Sequence, residues 1–132
     1  MSVLNGLTIA GRYTAIRKQF SKHPGSPETP ILEYQTTQYR LIPHLATLFT
    51  LKITSNVLRE AWQQDLEKFL GGDQKALNEL HPIVSSIKPI FTYFAADAVR
   101  ECRHLMGGLG YSKYSRLGSL YDDLGLKLWF RC

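Results

Sequence analysis

Apolar side chains recur along this chain at intervals of three and four residues over three long stretches, the pattern of helices with one buried face. In the first stretch Ile9, Tyr13, Ile16 and Phe20 form a stripe on a helix predicted from Ser2, a suitable N-cap, to about Phe20. Gly6, Ala10 and Gly11 keep another side of that helix small. Pro24, Pro27 and Pro30 each lock φ and remove a donor, so with Gly25 they predict a connecting loop over Ser21 to Pro30. Leu41, Leu45, Leu48 and Phe49, then Leu58, Trp62, Leu66 and Phe69, predict a long second helix from about Ile31 to Leu70. Pro43 is expected to kink it, and Gly71-Gly72 to end it. Asp73 is the expected N-cap of a third helix, whose stripe passes through Leu77, Leu80, Val84, Ile87, Phe91, Phe94, Ala98, Cys102 and Leu105. Pro82 and Pro89 are expected to bend or split it, and Gly107, Gly108 and Gly110 to close it.

Three antiparallel helices with short connectors give an all-α, up-down helical bundle. Two of the helices are so long that three alone leave apolar surface open, so a fourth helix is expected to be missing. Beyond Tyr111 the pattern offers a short turn around Tyr114 to Tyr121 and then a run from Leu124 to Phe130 that alternates like a strand, a docking tail or an association-prone end. A length of 132 residues with 44% hydrophobic and 20% charged side chains suits one folded domain and argues against disorder. The longest uncharged apolar-rich stretch, between Arg40 and Lys52, contains Pro43, His44 and threonines and falls short of the ~20 apolar residues of a membrane span, so none is expected. No basic residue precedes the apolar start, so no secretory leader is expected either. Cys102 and Cys132 form no disulfide framework and fit a reducing compartment.

The formal charge of +5 is spread over both ends, with acids interspersed and no basic run, so no nucleic-acid partner is expected. Arg12, Arg17, Lys18 and Lys22 are the exception: four cations with no intervening acid can meet a small phosphate-bearing ligand. His23, His44, His81 and His104 never fall at ligand spacing on one helix, and Cys102 with His104 lacks a second pair, so no metal site is expected. Cys102 and His104 also face apart on a helix, which removes them as a nucleophile and base. Asp122 and Asp123 are adjacent and point apart, so they read as a cap or surface charge, not as an acid–base pair. Gly107-Gly108-Leu109-Gly110-Tyr111 follows a helix, not a strand, and Lys113 stands where a dinucleotide fingerprint needs its last glycine. Two readings stay open there: a glycine-rich helix terminus, or backbone that must approach a bulky ligand.

Four segments in order carry a resemblance: Arg12-Tyr13-Thr14-Ala15-Ile16-Arg17-Lys18-Gln19-Phe20, Leu32-Glu33-Tyr34-Gln35-Thr36-Thr37-Gln38-Tyr39, Glu101-Cys102-Arg103 leading to Gly107-Gly108-Leu109-Gly110-Tyr111, and Arg116-Leu117-Gly118-Ser119-Leu120-Tyr121-Asp122-Asp123. They resemble the C-terminal helical domain of the acyl-CoA oxidases, flavoenzymes of the acyl-CoA dehydrogenase superfamily, and Arg-Leu-Gly before the aspartates is most similar to the pristanoyl or branched-chain type. The resemblance implies three long helices of an acyl-CoA dehydrogenase-like four-helix bundle over residues 1–123, with a divergent tail over 124–132. It implies FAD shared across a homodimer and oxidation of an acyl-CoA substrate to the trans-2-enoyl-CoA, with release of hydrogen peroxide. By position, Arg17 would face the flavin pyrophosphate, Gln19 and Phe20 its neighbourhood, and Gln35 the adenosine end, while Gly107 and Gly108 would give backbone room beside the same cofactor. The sequence departs from the family at Ser21, where a glycine is usual, and at Leu109, where the oxidases commonly carry histidine. The family's Tyr-Glu-Gly segment, whose glutamate takes the substrate's α-proton, does not occur in it, so the chain by itself is expected to be inactive and to hold no catalytic residue. The resemblance implies a peroxisomal location, yet Phe130-Arg131-Cys132 is not a Ser-Lys-Leu type ending, so the chain as it stands is expected in the cytoplasm. A non-catalytic helical module that self-associates is the alternative expectation.

Overall fold

The computed structural model describes residues 2–73 and 75–129. Helix α1 (Ser2–Ile16) leads into a two-stranded antiparallel ribbon, β1 (Lys18–Ser21) and β2 (Glu28–Pro30), and a 3-10 turn at Ile31–Glu33. Helices α2 (Gln35–Leu70) and α3 (Ala76–Leu105) form a long antiparallel pair, in which Arg40 bonds Glu101 and the His44 ring lies 5.8 Å from that of Phe94. A single turn, α4 (Gly108–Tyr111), and α5 (Leu117–Trp129) fold back over the end of α3. The architecture is the expected all-α, up-down bundle, and among the described residues no fourth long helix lies along α2 and α3.

Helix α1 ends at Ile16, not Phe20, and its inward face differs from the predicted stripe. Gly6, Leu7, Ala10 and Thr14 are buried, whereas Ile16 is 78% exposed. The reason is close approach: a Cβ on Gly6 would stand 3.2 Å from Val99 Cγ2, so the contact takes small residues and turns the larger ones aside. The buried Thr14 hydroxyl donates to the Gly11 carbonyl at 3.0 Å, which removes its desolvation penalty. The ribbon then draws the chain away from the helix axis, and part of the predicted loop is paired.

The prolines break neither long helix: α2 continues through Pro43, and α3 is not split at Pro82 or Pro89. All three lie on exposed faces, where the carbonyl each one frees can bond water. The N-cap of α3 is Lys75 and not the expected Asp73, which stands two residues earlier and accepts from Lys75 N through its Oδ1 at 3.0 Å. The run from Leu124 to Trp129, expected to alternate as a strand, is helical. Leu117 and Leu124, one heptad apart, are both buried, so the period of α5 is that of a packed helix. The expected core position Leu77 and the tail residues Phe130, Arg131 and Cys132 lie outside the described side chains.

The core gathers where α1 crosses the hairpin, in one cluster of Leu7, Ala10, Leu41, Cys102, Met106 and Leu117 and a second of Ala95, Val99 and Leu124. Fifteen residues of α1 cover only part of the 36 of α2. Predicted core residues beyond that cover, Phe49, Trp62 and Phe69 on α2 and Val84 on α3, are therefore exposed. Helix α2 is also long and apolar enough, by length and composition alone, to cross a membrane, with a mean hydropathy of 1.2 over its best window; no other described helix is.

Candidate functional site

Three helix ends meet at one end of the bundle, because α1 runs beside α3 and the Arg40–Glu101 contact sets the start of α2 against the last turns of α3. One corner of this end is the ribbon. The Arg17 amide donates to Tyr13 O at 2.8 Å and the Arg17 carbonyl accepts from Ile31 N at 2.9 Å, so the residue is fixed from both sides while its guanidinium stays exposed. The ribbon pairs Lys18 with Pro30 and Ser21 with Glu28, with an irregularity between them. There Phe20 adopts φ 59°, and its ring is 70% exposed. The Tyr34 hydroxyl donates to Gln19 O at 2.8 Å, with Phe20 O at 3.4 Å, and Gln35 follows as the exposed first residue of α2. Arg17, Gln19, Phe20 and Gln35 are thus brought together. Lys22 pairs with Glu33 at 2.8 Å beside them, and its hydrogen bond to that carboxylate pushes its pKa up.

The other corner is the turn after α3. Gly107 adopts φ 55° and ψ −134°, a backbone conformation open to glycine alone at little strain. Nothing lies within 4 Å of a Cβ built on Gly107 or Gly108, so this backbone faces open space. Gly110 is different: a Cβ there would stand 2.0 Å from Arg103 O, so this glycine lets α4 lie directly on the last turn of α3. The helix-terminus reading holds at Gly107, which follows the end of α3, while Gly110 permits a close approach of α4 to α3. A groove beside them is lined by Arg100, Arg103, His104, Gly107, Gly110 and Tyr111. Arg103 Nε donates to Gly110 O at 3.2 Å and its guanidinium lies 5.6 Å from the centre of the Tyr121 ring, tying α3 to α4 and α5. Arg100 pairs with Asp97. Arg17, Gln19, Phe20 and Gln35 do not line this groove, so the two corners share an end of the bundle but not a groove.

Between the corners lies Glu101. It accepts from Arg40 Nε at 2.7 Å and approaches His104 Nδ1 at 3.4 Å. Burial raises its pKa, but the hydrogen bond and charge of Arg40, followed by those of His104, outweigh that and hold the carboxyl below its usual range. Neighbouring Cys102 is buried, and desolvation with the nearby Glu101 charge pushes its thiol up to about 12, which leaves it inert. Sequence reasoning missed the bracing residues Tyr34, Arg40, Glu101 and Arg103. Tyr34, Glu101 and Arg103 stand in segments that carry the family resemblance, yet nothing there marks them as braces, and nothing in spacing pairs Arg40 with a partner 61 residues on. Among the described residues no group of three His, Cys, Asp or Glu side chains converges as a metal site.

Comparison with known proteins follows the same lines. The family described as "Acyl-CoA oxidase, C-alpha1 domain" matches residues 1–130. The chain is 36% identical to peroxisomal acyl-coenzyme A oxidase 1 of Cavia porcellus over 120 residues, covering 91% of this chain and 18% of that protein. It is 39% identical to peroxisomal acyl-coenzyme A oxidase 2 of Rattus norvegicus over 119 residues, covering 90% and 18%. Among solved structures it is similar to acyl-CoA oxidase 1 from Yarrowia lipolytica, with TM-score 0.90, 28% identity and coverage of 98% of this chain and 21% of that one. It is also similar to acyl-CoA oxidase-1 of Caenorhabditis elegans complexed with FAD and ATP, with TM-score 0.87, 28% identity and coverage of 96% and 19%. The chain therefore spans about a fifth of the length of these relatives. A family match along almost its whole length, with the same helical fold, places it: the chain belongs to the acyl-CoA oxidase family, in the C-alpha1 domain.

Proposed function

We propose that this chain is the flavin- and partner-facing helical piece of a homodimeric, peroxisomal acyl-CoA oxidase acting in fatty acid β-oxidation. What supports the reading most is the presence at one end of the bundle of an exposed Arg17 guanidinium, which forms no ion pair among the described residues, and of the open backbone at Gly107 and Gly108. A planar guanidinium suits a pyrophosphate, and glycine backbone without a Cβ suits a bulky neighbour, so these residues fit FAD. Arg17 would hold its pyrophosphate, Gln19 and Phe20 lie beside it, Gln35 meet its adenosine end, and Gly107 and Gly108 leave it room. Bound FAD supplies the hydride acceptor for conversion of acyl-CoA to trans-2-enoyl-CoA, with oxygen taking the electrons as hydrogen peroxide. The residues named here bind and orient; the α-proton falls to a glutamate in a Tyr-Glu-Gly segment that this sequence does not contain.

Titration of the labelled chain with FAD, followed by amide NMR, tests the proposal. The expected result is shifts at Arg17, Gln19, Gln35, Gly107 and Gly108 that Arg17→Ala weakens, and no peroxide from the chain with a long-chain acyl-CoA. Shifts confined to one corner, or none, refute it. A second reading, a non-catalytic self-association module, is favoured by the exposed row Phe49, Ile53 and Val57 on α2. It predicts concentration-dependent dimerisation in sedimentation that FAD leaves unchanged.

A further inference from the structure

We infer that Tyr34 is a positioning residue: its hydroxyl holds the left-handed kink at Phe20 and so sets how Phe20, Gln19 and Arg17 are presented to the flavin. The inference rests on the flavin reading above.

Phe20 and Arg116 are the two described non-glycine residues with positive φ. Arg116 has a local explanation, since its backbone bridges the 3-10 turn at Lys113–Ser115 and α5: its amide donates to Lys113 O and its carbonyl accepts from Leu120 N. Phe20 has none. A bulky side chain in this region is strained, and an exposed ring gains no burial to offset the strain. The ribbon places the kink, since its pairs Lys18–Pro30 and Ser21–Glu28 close a register irregularity on either side of it. The side chain that ties this bulge to the rest of the fold is long-range: the Tyr34 hydroxyl, 2.8 Å from Gln19 O and 3.4 Å from Phe20 O.

Tyr34 is itself a fixed post. Its amide donates to Ile31 O at 3.3 Å, and its carbonyl accepts from Thr37 N at 3.0 Å and Gln38 N at 3.1 Å as α2 begins. Its half-buried ring thus stands on the rigid start of the longest helix, one residue before Gln35. A single phenol therefore ties the Gln19–Phe20 backbone to Gln35. Replacing it by phenylalanine keeps the ring and removes only the tie.

Two measurements on the full chain decide the matter. The first compares thermal midpoints of Phe20→Gly and Phe20→Ala. A positive φ favours glycine, so the glycine variant should melt about 3 °C or more above the alanine variant with Tyr34 present. In a Tyr34→Phe background that difference should disappear. The second titrates FAD against the wild-type chain and Tyr34→Phe, whose affinity should fall roughly fivefold to tenfold on loss of the hydrogen bond that holds the site. An absent glycine advantage, or one that survives Tyr34→Phe, overturns the link between hydroxyl and kink whatever FAD does. A link that holds with unchanged FAD affinity overturns the positioning role. If FAD shifts no wild-type resonance, the flavin reading fails and takes the positioning role with it, while the melting order still reports on the kink.

Discussion

Gly110→Ala isolates the contact on which the glycine corner is built. The added Cβ would lie 2.0 Å from Arg103 O, 2.7 Å from Arg103 C and 2.9 Å from Arg103 Cα. All three are backbone atoms of Arg103, the third residue from the end of α3, so no side-chain rotation relieves the overlap and α4 must lift away. Overpacking of this kind costs about 1–3 kcal/mol, and the upper end applies where the neighbour is main chain. Lifting α4 also breaks the bond from Arg103 Nε to Gly110 O, a further loss of about 1 kcal/mol. Alanine's helix propensity returns less than about 1 kcal/mol in a single turn. The net expectation is a destabilisation of about 3 kcal/mol. Gly125→Ala is the control: it lies within α5 with nothing within 4 Å of its Cβ, so it should stabilise by about 0.5–1 kcal/mol. Urea unfolding followed by circular dichroism, with unchanged slope, reads both. A Gly110→Ala chain within about 0.5 kcal/mol of wild type would refute the close approach of α4 to α3.

Glu101 has its carboxyl pKa held down in the folded state, so its stabilisation is fully present above the unfolded value of 4.5 and is lost as pH falls through the lower folded value. The urea midpoint should therefore drop more steeply below pH 4.5 in the wild type than in Glu101→Gln, measured as a pH series on both. Cys102, with its thiol pushed up to about 12, should resist a disulfide reagent at pH 8; in a Cys132→Ser background, labelling should accelerate only as urea unfolds the chain. Gly107→Ala meets no atom within 4 Å but must adopt φ 55°, so it should cost about 1–3 kcal/mol in the same urea assay by strain alone.

The periodic apolar pattern made α2 and α3 legible, since length and period outvote three prolines when each lies on a solvent-facing side. It misjudged α1, because a helix that approaches through Gly6 and Ala10 buries its small residues and leaves Ile16 outside. It misjudged α5 as well: Leu124, Leu126 and Leu128 alternate, and only the packing of Leu117 and Leu124 on α3 makes the period helical. Of the candidate site, Arg17, Gln19, Phe20 and Gln35 were legible through their motifs, and the structure gathers them at one corner. Gly107 and Gly108 were legible too, but Gly107 lines a second groove whose side chains Arg100, Arg103 and His104 carried no periodic signal. The braces between distant elements were not legible, because Tyr34 to Gln19 and Arg40 to Glu101 are tertiary contacts that no local spacing encodes.

Those braces divide the labour at this end of the bundle. Tyr34 acts on the ribbon corner alone, whereas Arg40–Glu101 joins α2, which begins with Gln35, to α3, which ends at the glycine turn. Glu101 also reaches His104, which lines the glycine groove. Arg40→Met keeps much of the side-chain length but leaves Glu101, with only 20% of its side chain exposed, without its main partner, at a cost of about 1–3 kcal/mol. It should shift the amide resonances of Gln35 and Gly107 together, while Tyr34→Phe shifts Gln19 and Phe20 and leaves Gly107 in place. The reasoning is that two helices packed at native density move as units, so a broken cross-brace is felt at both of their ends. If Arg40→Met disturbs only one corner, the corners are independent sites on a common scaffold, and a cofactor bridging them would gain nothing from this ion pair.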